Sequence, residues 1–179
     1  VVFWRRSREQ TARHRCPLFD SGLGIFIESS MQVDTLHTLA LGVTKSFVHY
    51  VCWACLDANI YGLGARMTDG EVNISTCMHI KVELFKFYRT VAASGDTTMS
   101  ELGDFTVDML GPKESATVLR AKGAETDGLL RFLATSFLTL HAHKLPQGSL
   151  ILIAAKALYD YKIHTDLVII QSLGSDQDK

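Results

Sequence analysis

The sequence predicts a mostly α fold: a helical body with a short extended segment near its N-terminal end. Three observations carry this. Apolar residues recur every three or four positions over most of the chain, as on helices that bury one face. Start and stop signals punctuate those stretches, among them Thr98-x-x-Glu101, Ser94-Gly95, Gly111-Pro112 and Pro146-Gln147-Gly148. The best strand candidate is brief: "GIFIESS", residues 24–30, places Ile25, Phe26 and Ile27 between Gly24 and Ser29-Ser30.

The elements follow in order. Residues 1–23 form a basic, irregular segment in which Arg5, Arg6, Arg8, Arg13 and Arg15 face only Glu9. A single mostly helical domain spans 24–173, and a polar tail occupies 174–179. In the domain, Leu36, Leu39, Val43, Phe47, Val51 and Cys55 keep helical spacing, which predicts a helix over 35–60 with Gly42 marking a bend or a close backbone contact. "GLGARMTDGEVN" reads as a loop. Ile80, Leu84, Phe87, Tyr88 and Val91 predict a helix over 78–92 that stops at Ser94-Gly95. The spacing Thr98-x-x-Glu101 is that of a capping box and predicts a helix over 99–110. A short helical stretch to about Arg120 follows. Leu129, Leu133, Phe137 and Leu140 predict a helix over 124–143. After the break at Pro146, Leu150, Ile153, Ala157 and Tyr161 predict one over 149–165, and "LVII" near its end reads equally as helix or strand. The expected core is Leu39, Phe47, Val51, Leu84, Tyr88, Leu102, Phe105, Leu133 and Phe137.

Composition narrows the function classes. The chain has 179 residues, 47% hydrophobic and 21% charged, with a net charge of −1. That suits one folded domain and sets up no global field toward nucleic acid or anionic lipid. The longest apolar run, "SFVHYVCWACLDANIYGLG", is broken by His49, Asp57 and Asn59, so no membrane span is expected. No signal-peptide pattern opens the chain, and four cysteines in a core-rich sequence point to a reducing, intracellular setting. The opening "VVFWRR" lacks a methionine, which suggests a fragment.

Three motifs carry possible chemistry. In "MQVDTLHTLALGV", Asp34 and His37 stand one helical turn apart, a spacing that suits a shared metal or a hydrogen-bonded pair. Asp34 is equally a good N-cap, with His37 a core histidine. Cys52-x-x-Cys55 has zinc-ligand spacing, with Cys77 and His79 as a further pair, but it falls mid-helix among apolar residues, where cysteine packs as a small hydrophobe. His141 and His143 are two apart and do not face each other on a helix. Lastly, Lys122-Gly-Ala-Glu125 precedes a leucine-rich stretch; Glu125 there is either a first-turn carboxylate favoured by the helix dipole or one that projects toward a metal.

Taken together, "VDTLHTLALGV" and "AKGAETDGLLRFL" resemble two signatures of eukaryotic cut-and-paste transposases with an RNase H-like core, of the hAT and CACTA type. The first resembles the [Cys/Asp]-x-x-His-x-Leu-x-Leu motif, the second the Lys-x-x-Glu segment whose acid can close an Asp-Asp-Glu triad. The resemblance spans about residues 20–160 and implies a partial RNase H-like core with a helical insertion at 42–120. It further implies metal-dependent DNA cleavage and strand transfer in the nucleus, with DNA as partner. Mg²⁺ or Mn²⁺ would be held by carboxylates, two ions roughly 4 Å apart. Glu125 would be the third carboxylate, Asp34 a further metal ligand, and His37 would complete the signature pair. The early acidic strands are missing from this sequence, and Asp20 is the sole aspartate before Asp34. The expectation is therefore a transposase-derived fragment without activity of its own. The rival expectation is a non-enzymatic helical module that binds another protein.

Overall fold

A computed structural model describes residues 41–64, 66–115 and 119–174, with side chains as far as 167. The chain divides into two units, Val1–Asp34 and Thr35–Lys179, and the described residues belong to the second. They are mostly helical, and no strand occurs among them. The extended segment expected at 24–30 lies outside the described residues, as does Leu39.

The first helix, α1 (Lys45–Asp57), continues from a wide π turn at 41–44. Gly42, expected to mark a bend, falls in that turn. The wider turn shifts the phase: Val43, expected on the buried face, is exposed and Phe47 half-buried, whereas Val48, Val51, Cys52 and Cys55 are buried. The helix stops where Asn59 takes a left-handed conformation (φ 42°). Asparagine tolerates this because its short amide can bond locally; here Oδ1 accepts the Leu63 N–H at 2.9 Å and Nδ2 donates to the Leu63 carbonyl at 3.0 Å.

Helix α2 (Asp69–Ala93) begins nine residues before the expected position at 78. Thr68 explains the difference. Its backbone N–H donates to Glu71 Oε2 at 2.8 Å, and its Oγ1 accepts the Glu71 N–H at 3.4 Å, a capping box that sequence periodicity passed over. The expected face holds: Ile80, Leu84, Tyr88 and Val91 are buried.

The helix expected over 99–110 is a correction. Only α3 (Val107–Leu110) forms, capped by Thr106 Oγ1, which accepts the Met109 N–H. The Thr98 hydroxyl, expected as the cap, instead donates to Asp96 Oδ1 at 2.7 Å. Residues 99–106 run without helix and still bury Leu102 and Phe105. This segment is pinned to α2 twice: the Leu102 N–H donates to the Tyr88 hydroxyl at 3.1 Å, and Lys81 Nζ pairs with Asp104 at 2.6 Å. Of the helical stretch expected between Pro112 and about Arg120, residues 113–114 form a turn and 116–118 lie outside the described residues; the Arg120 N–H reaches back to the Met109 carbonyl at 2.8 Å.

Helix α4 (Gly123–Phe132) runs into a π segment (Leu133–Phe137), then α5 (Leu138–His141) and a 3-10 turn (Ala142–Lys144). The path matches the expected 124–143, but the π segment changes its phase, so Leu133 and Phe137 are buried and Leu140 is exposed. Helix α6 (Gly148–Gly174) closes the body. Its start requires glycine, because a Cβ on Gly148 would lie 1.7 Å from the Ala142 carbonyl oxygen.

The core lies where α1, α2 and α4 meet, with α6 packed on the π segment, α5 and the 3-10 turn. Phe105, Phe132, Phe137, Leu84, Leu110 and Leu130 are among its largest fully buried side chains. Each contributes roughly 1.5–3 kcal/mol by leaving water. His49 is also fully buried. Its Nδ1 lies 3.0 Å from the Leu110 carbonyl oxygen and its Nε2 3.2 Å from that of Lys113, so it stitches α1 to the loop after α3.

Helix α6 forms as expected and runs beyond the expected end at 165. Its inward side chains are Ile151, Leu152, Ala155, Leu158 and Tyr159. Leu150, Ile153, Ala157 and Tyr161, whose spacing predicts the helix, point to solvent. The helix is apolar on both sides, so spacing alone selects neither.

Candidate functional site

The described residues hold three arrangements with chemical character. The first is a cleft of about 310 Å³ between residues 98–100, the start of α4 and the middle of α6. Gly128 lets the two sides close together: a Cβ there would meet the Ser100 carbonyl oxygen at 2.7 Å. Asp127, Arg131, Lys162 and Asp166 line the cleft, and each is engaged in an ion pair, Arg131 with Asp96 just outside it. Arg131 Nη1 binds Asp96 Oδ2 at 2.6 Å; Lys162 Nζ lies 3.2 Å from Asp127 Oδ2 and 2.6 Å from Asp166 Oδ2. Burial raises the Asp127 carboxyl above its usual range, and nearby Lys162 offsets only part of that. Burial acts to lower Lys162, but its bond to Asp166 and the charge of Asp127 outweigh it and hold the ammonium above its usual value. Asp127 Oδ1 is buried without a hydrogen-bond partner among the described residues.

Beside this cleft stands Glu125. Its Oε2 accepts the Lys122 N–H at 2.8 Å, in the first turn of α4. The carboxylate is thus a helix cap. Asp34 and His37 lie outside the described residues, and with them the separation between Asp34 and Glu125. Among the described residues, no group of three or more His, Cys, Asp or Glu side chains is arranged to hold a metal ion.

The second arrangement joins three elements. The Tyr61 hydroxyl donates to Glu83 Oε1 at 2.7 Å, and His141 Nε2 lies 3.1 Å from both Glu83 oxygens. His79 packs its ring on Tyr61 at 4.7 Å between centroids, and Phe137 packs on His141 at the same distance. His141 therefore works apart from His143, as the spacing predicts. Burial, and then the bond to Glu83, push the Tyr61 hydroxyl well above its ordinary pKa.

The third is the thiol group. Cys52, Cys55 and Cys77 are buried and free of disulfides. Burial raises all three, Cys55 and Cys77 to about 12. A zinc ligand must be a thiolate, so this apolar setting favours packing over coordination.

None of the charged cleft residues stood out in the sequence. Asp127, Arg131, Lys162 and Asp166 share no motif, and only the fold brings them to one cleft. Glu83 and His79 carry a faint signal at i and i+4 on one helix face, but nothing in the sequence pairs them with Tyr61 or His141.

The apolar surface is the remaining feature. On α6, Leu150, Ile153 and Tyr161 are 62%, 64% and 60% exposed. On α2, Ile74, Met78 and Val82, at i, i+4 and i+8, are exposed too. Among the described residues, no helix is long and apolar enough to cross a membrane. The chain matches no protein-family model, no curated protein and no solved structure.

Proposed function

We propose that the chain is a non-enzymatic helical module that binds another protein through an apolar helix face. One observation carries this reading: α6 buries one apolar stripe and presents a second, Leu150-Ile153-Ala157-Tyr161, to solvent. Side chains at i, i+3 and i+4 spacing anchor a helix against a partner helix or groove. Contiguous apolar surface of this kind marks interaction sites on soluble proteins. The polar clusters do not compete for this role, because their charges are largely engaged with one another. The test is a photo-crosslinking residue at Tyr161 in cells that express the chain. Covalent capture of a protein supports the reading. Absence of any protein adduct at Tyr161, with a control position on the α4 side equally silent, sinks it.

A second reading has its own support. Glu125 sits in the first turn of a leucine-rich helix, the position its resemblance to cut-and-paste transposases calls for. On this reading the chain is a transposase-derived fragment, inactive alone, with DNA as the ancestral partner and Mg²⁺ or Mn²⁺ as the ancestral cofactors. A Mn²⁺ titration followed by paramagnetic broadening tests it. Broadening centred on Glu125 and lost in Glu125→Gln supports it; uniform, weak broadening across the surface excludes it.

A further inference from the structure

We infer that the partner of the exposed α6 stripe is a second copy of this chain, paired antiparallel with its crossing point near Ala157; this rests on the interaction-module reading above. Four observations point to self-pairing. Ala154 and Ala157 are exposed at the middle of the stripe, where small side chains let two helix backbones approach closely. Ile153 and Tyr161 lie four residues to either side of Ala157. Reversing the direction of one helix about that point therefore places Ile153 of one copy against Tyr161 of the other.

The flanking charges repeat the symmetry. Lys156 and Asp160 are exposed, make no ion pair among the described residues, and project from the same edge of the stripe. A two-fold axis that makes two helices antiparallel brings like edges together with their directions reversed. In that register Lys156 of each copy lies about two residues, roughly 3 Å along the axis, from the position opposite Asp160 of the other, within reach of the long lysine side chain. A partner of unrelated sequence gives no reason for this reciprocity. Finally, the stripe itself is short. From Leu150 to Tyr161 it runs roughly 17 Å at 1.5 Å per residue. Such a contact falls at the small end of specific interfaces, below about 1,200 Å² in total, and forms a reversible dimer.

Sedimentation velocity on the full chain, from low micromolar to several hundred micromolar, tests the inference. The expected result is a monomer–dimer equilibrium with a dissociation constant of roughly 10–100 µM. Ile153→Glu should weaken it at least about tenfold, a loss of about 1.4 kcal/mol. Asp160→Lys should weaken it as well, by setting lysines opposite one another. Combining Asp160→Lys with Lys156→Asp should restore it, since the charges are then exchanged but still complementary. Orientation is read by mixing Ile153→Cys protein with Tyr161→Cys protein under mild oxidation: the mixed disulfide should exceed either self-linked product. All these positions are exposed, and circular dichroism of each variant serves as the check that it folds. A chain that stays monomeric throughout, or a dimer indifferent to Ile153→Glu and to charge exchange, overturns the inference. If the monomeric chain is nonetheless captured by a different protein at Tyr161, self-pairing fails and the interaction module stands. If nothing is captured, both fail.

Discussion

Arg131 Nη1 stands 2.6 Å from Asp96 Oδ2, and this contact ties the last turn of α4 to the turn that follows α2. Asp96 also accepts both the hydroxyl and the backbone N–H of Thr98, at 2.7 and 3.0 Å. One carboxylate thus closes a turn and docks a helix on it.

That carboxylate should make stability fall in acid. The Thr98 hydroxyl first, and Arg131 after it, hold Asp96 at a pKa of about 2. An unfolded aspartate titrates near about 3.9. The folded value is the lower one, so the contribution is fully present above about pH 4 and is lost as pH falls toward about 2. Asp96→Asn should lower the melting temperature at neutral pH and flatten its decline between those values. Thermal melts across that acid window, wild type beside variant, measure this; parallel curves would contradict it.

Gly148→Ala should be among the most damaging single substitutions. The added Cβ meets the Ala142 carbonyl oxygen at 1.7 Å, and backbone on both sides must shift. Overpacking of this kind costs about 1–3 kcal/mol, and backbone displacement adds to it. Denaturant midpoints for Gly148→Ala, compared with alanine at exposed Gly64, would register the difference.

Loss of His49 should be costly. His49→Ala removes a fully buried side chain and leaves the Leu110 and Lys113 carbonyl oxygens without the ring. A cavity plus unpaired carbonyls predicts a loss of about 2–4 kcal/mol. Urea titration by tryptophan fluorescence gives the number, and a loss under about 1 kcal/mol would show that water replaces the ring without penalty.

The buried thiols should be silent in the native protein. Cys52, Cys55 and Cys77 are raised by burial and enclosed, so a disulfide reagent that needs thiolate should not reach them at pH 8. Peptide mapping after labelling should find all three modified only once denaturant is added.

Glu125 separates the two functional readings energetically. As a cap, Glu125→Ala should destabilise by about 0.5–1 kcal/mol, through the lost bond to the Lys122 N–H. As a metal ligand without metal, the same change should be neutral or stabilising. Melts with and without Mn²⁺ distinguish them.

Much of the core could be read from residue spacing, because Leu84 and Tyr88, and Leu133 and Phe137, sit at i and i+4 on faces that are buried. Leu102 and Phe105 were found inside for a different reason from the one expected. Their three-residue spacing fits a helix, but their segment is held without helix by Tyr88 and Lys81, which lie far away in sequence. Helix α6 marks the clearest limit. When both faces are apolar, periodicity finds the helix and not its orientation, which only the packing of Ala155 against the body decides. The cleft was invisible for a related reason: Ser100, Asp127 and Lys162 stand on three separate segments, and no local pattern encodes their meeting.

The π segment at Leu133–Phe137 has a consequence for how this chain tolerates insertion and deletion. A π turn holds one more residue than an α turn over the same rise. Deleting a single residue within it would let the ladder close as ordinary α-helix and rotate everything downstream by about 100°. Phe132 and the residues before it would stay in place, while His141 would swing away from Glu83 and α6 would present a different edge to the body. The wide turn works as a one-residue spacer that keeps two halves of a helix in separate rotational frames. A one-codon loss there should be far more disruptive than the same loss in the loop at residues 62–64.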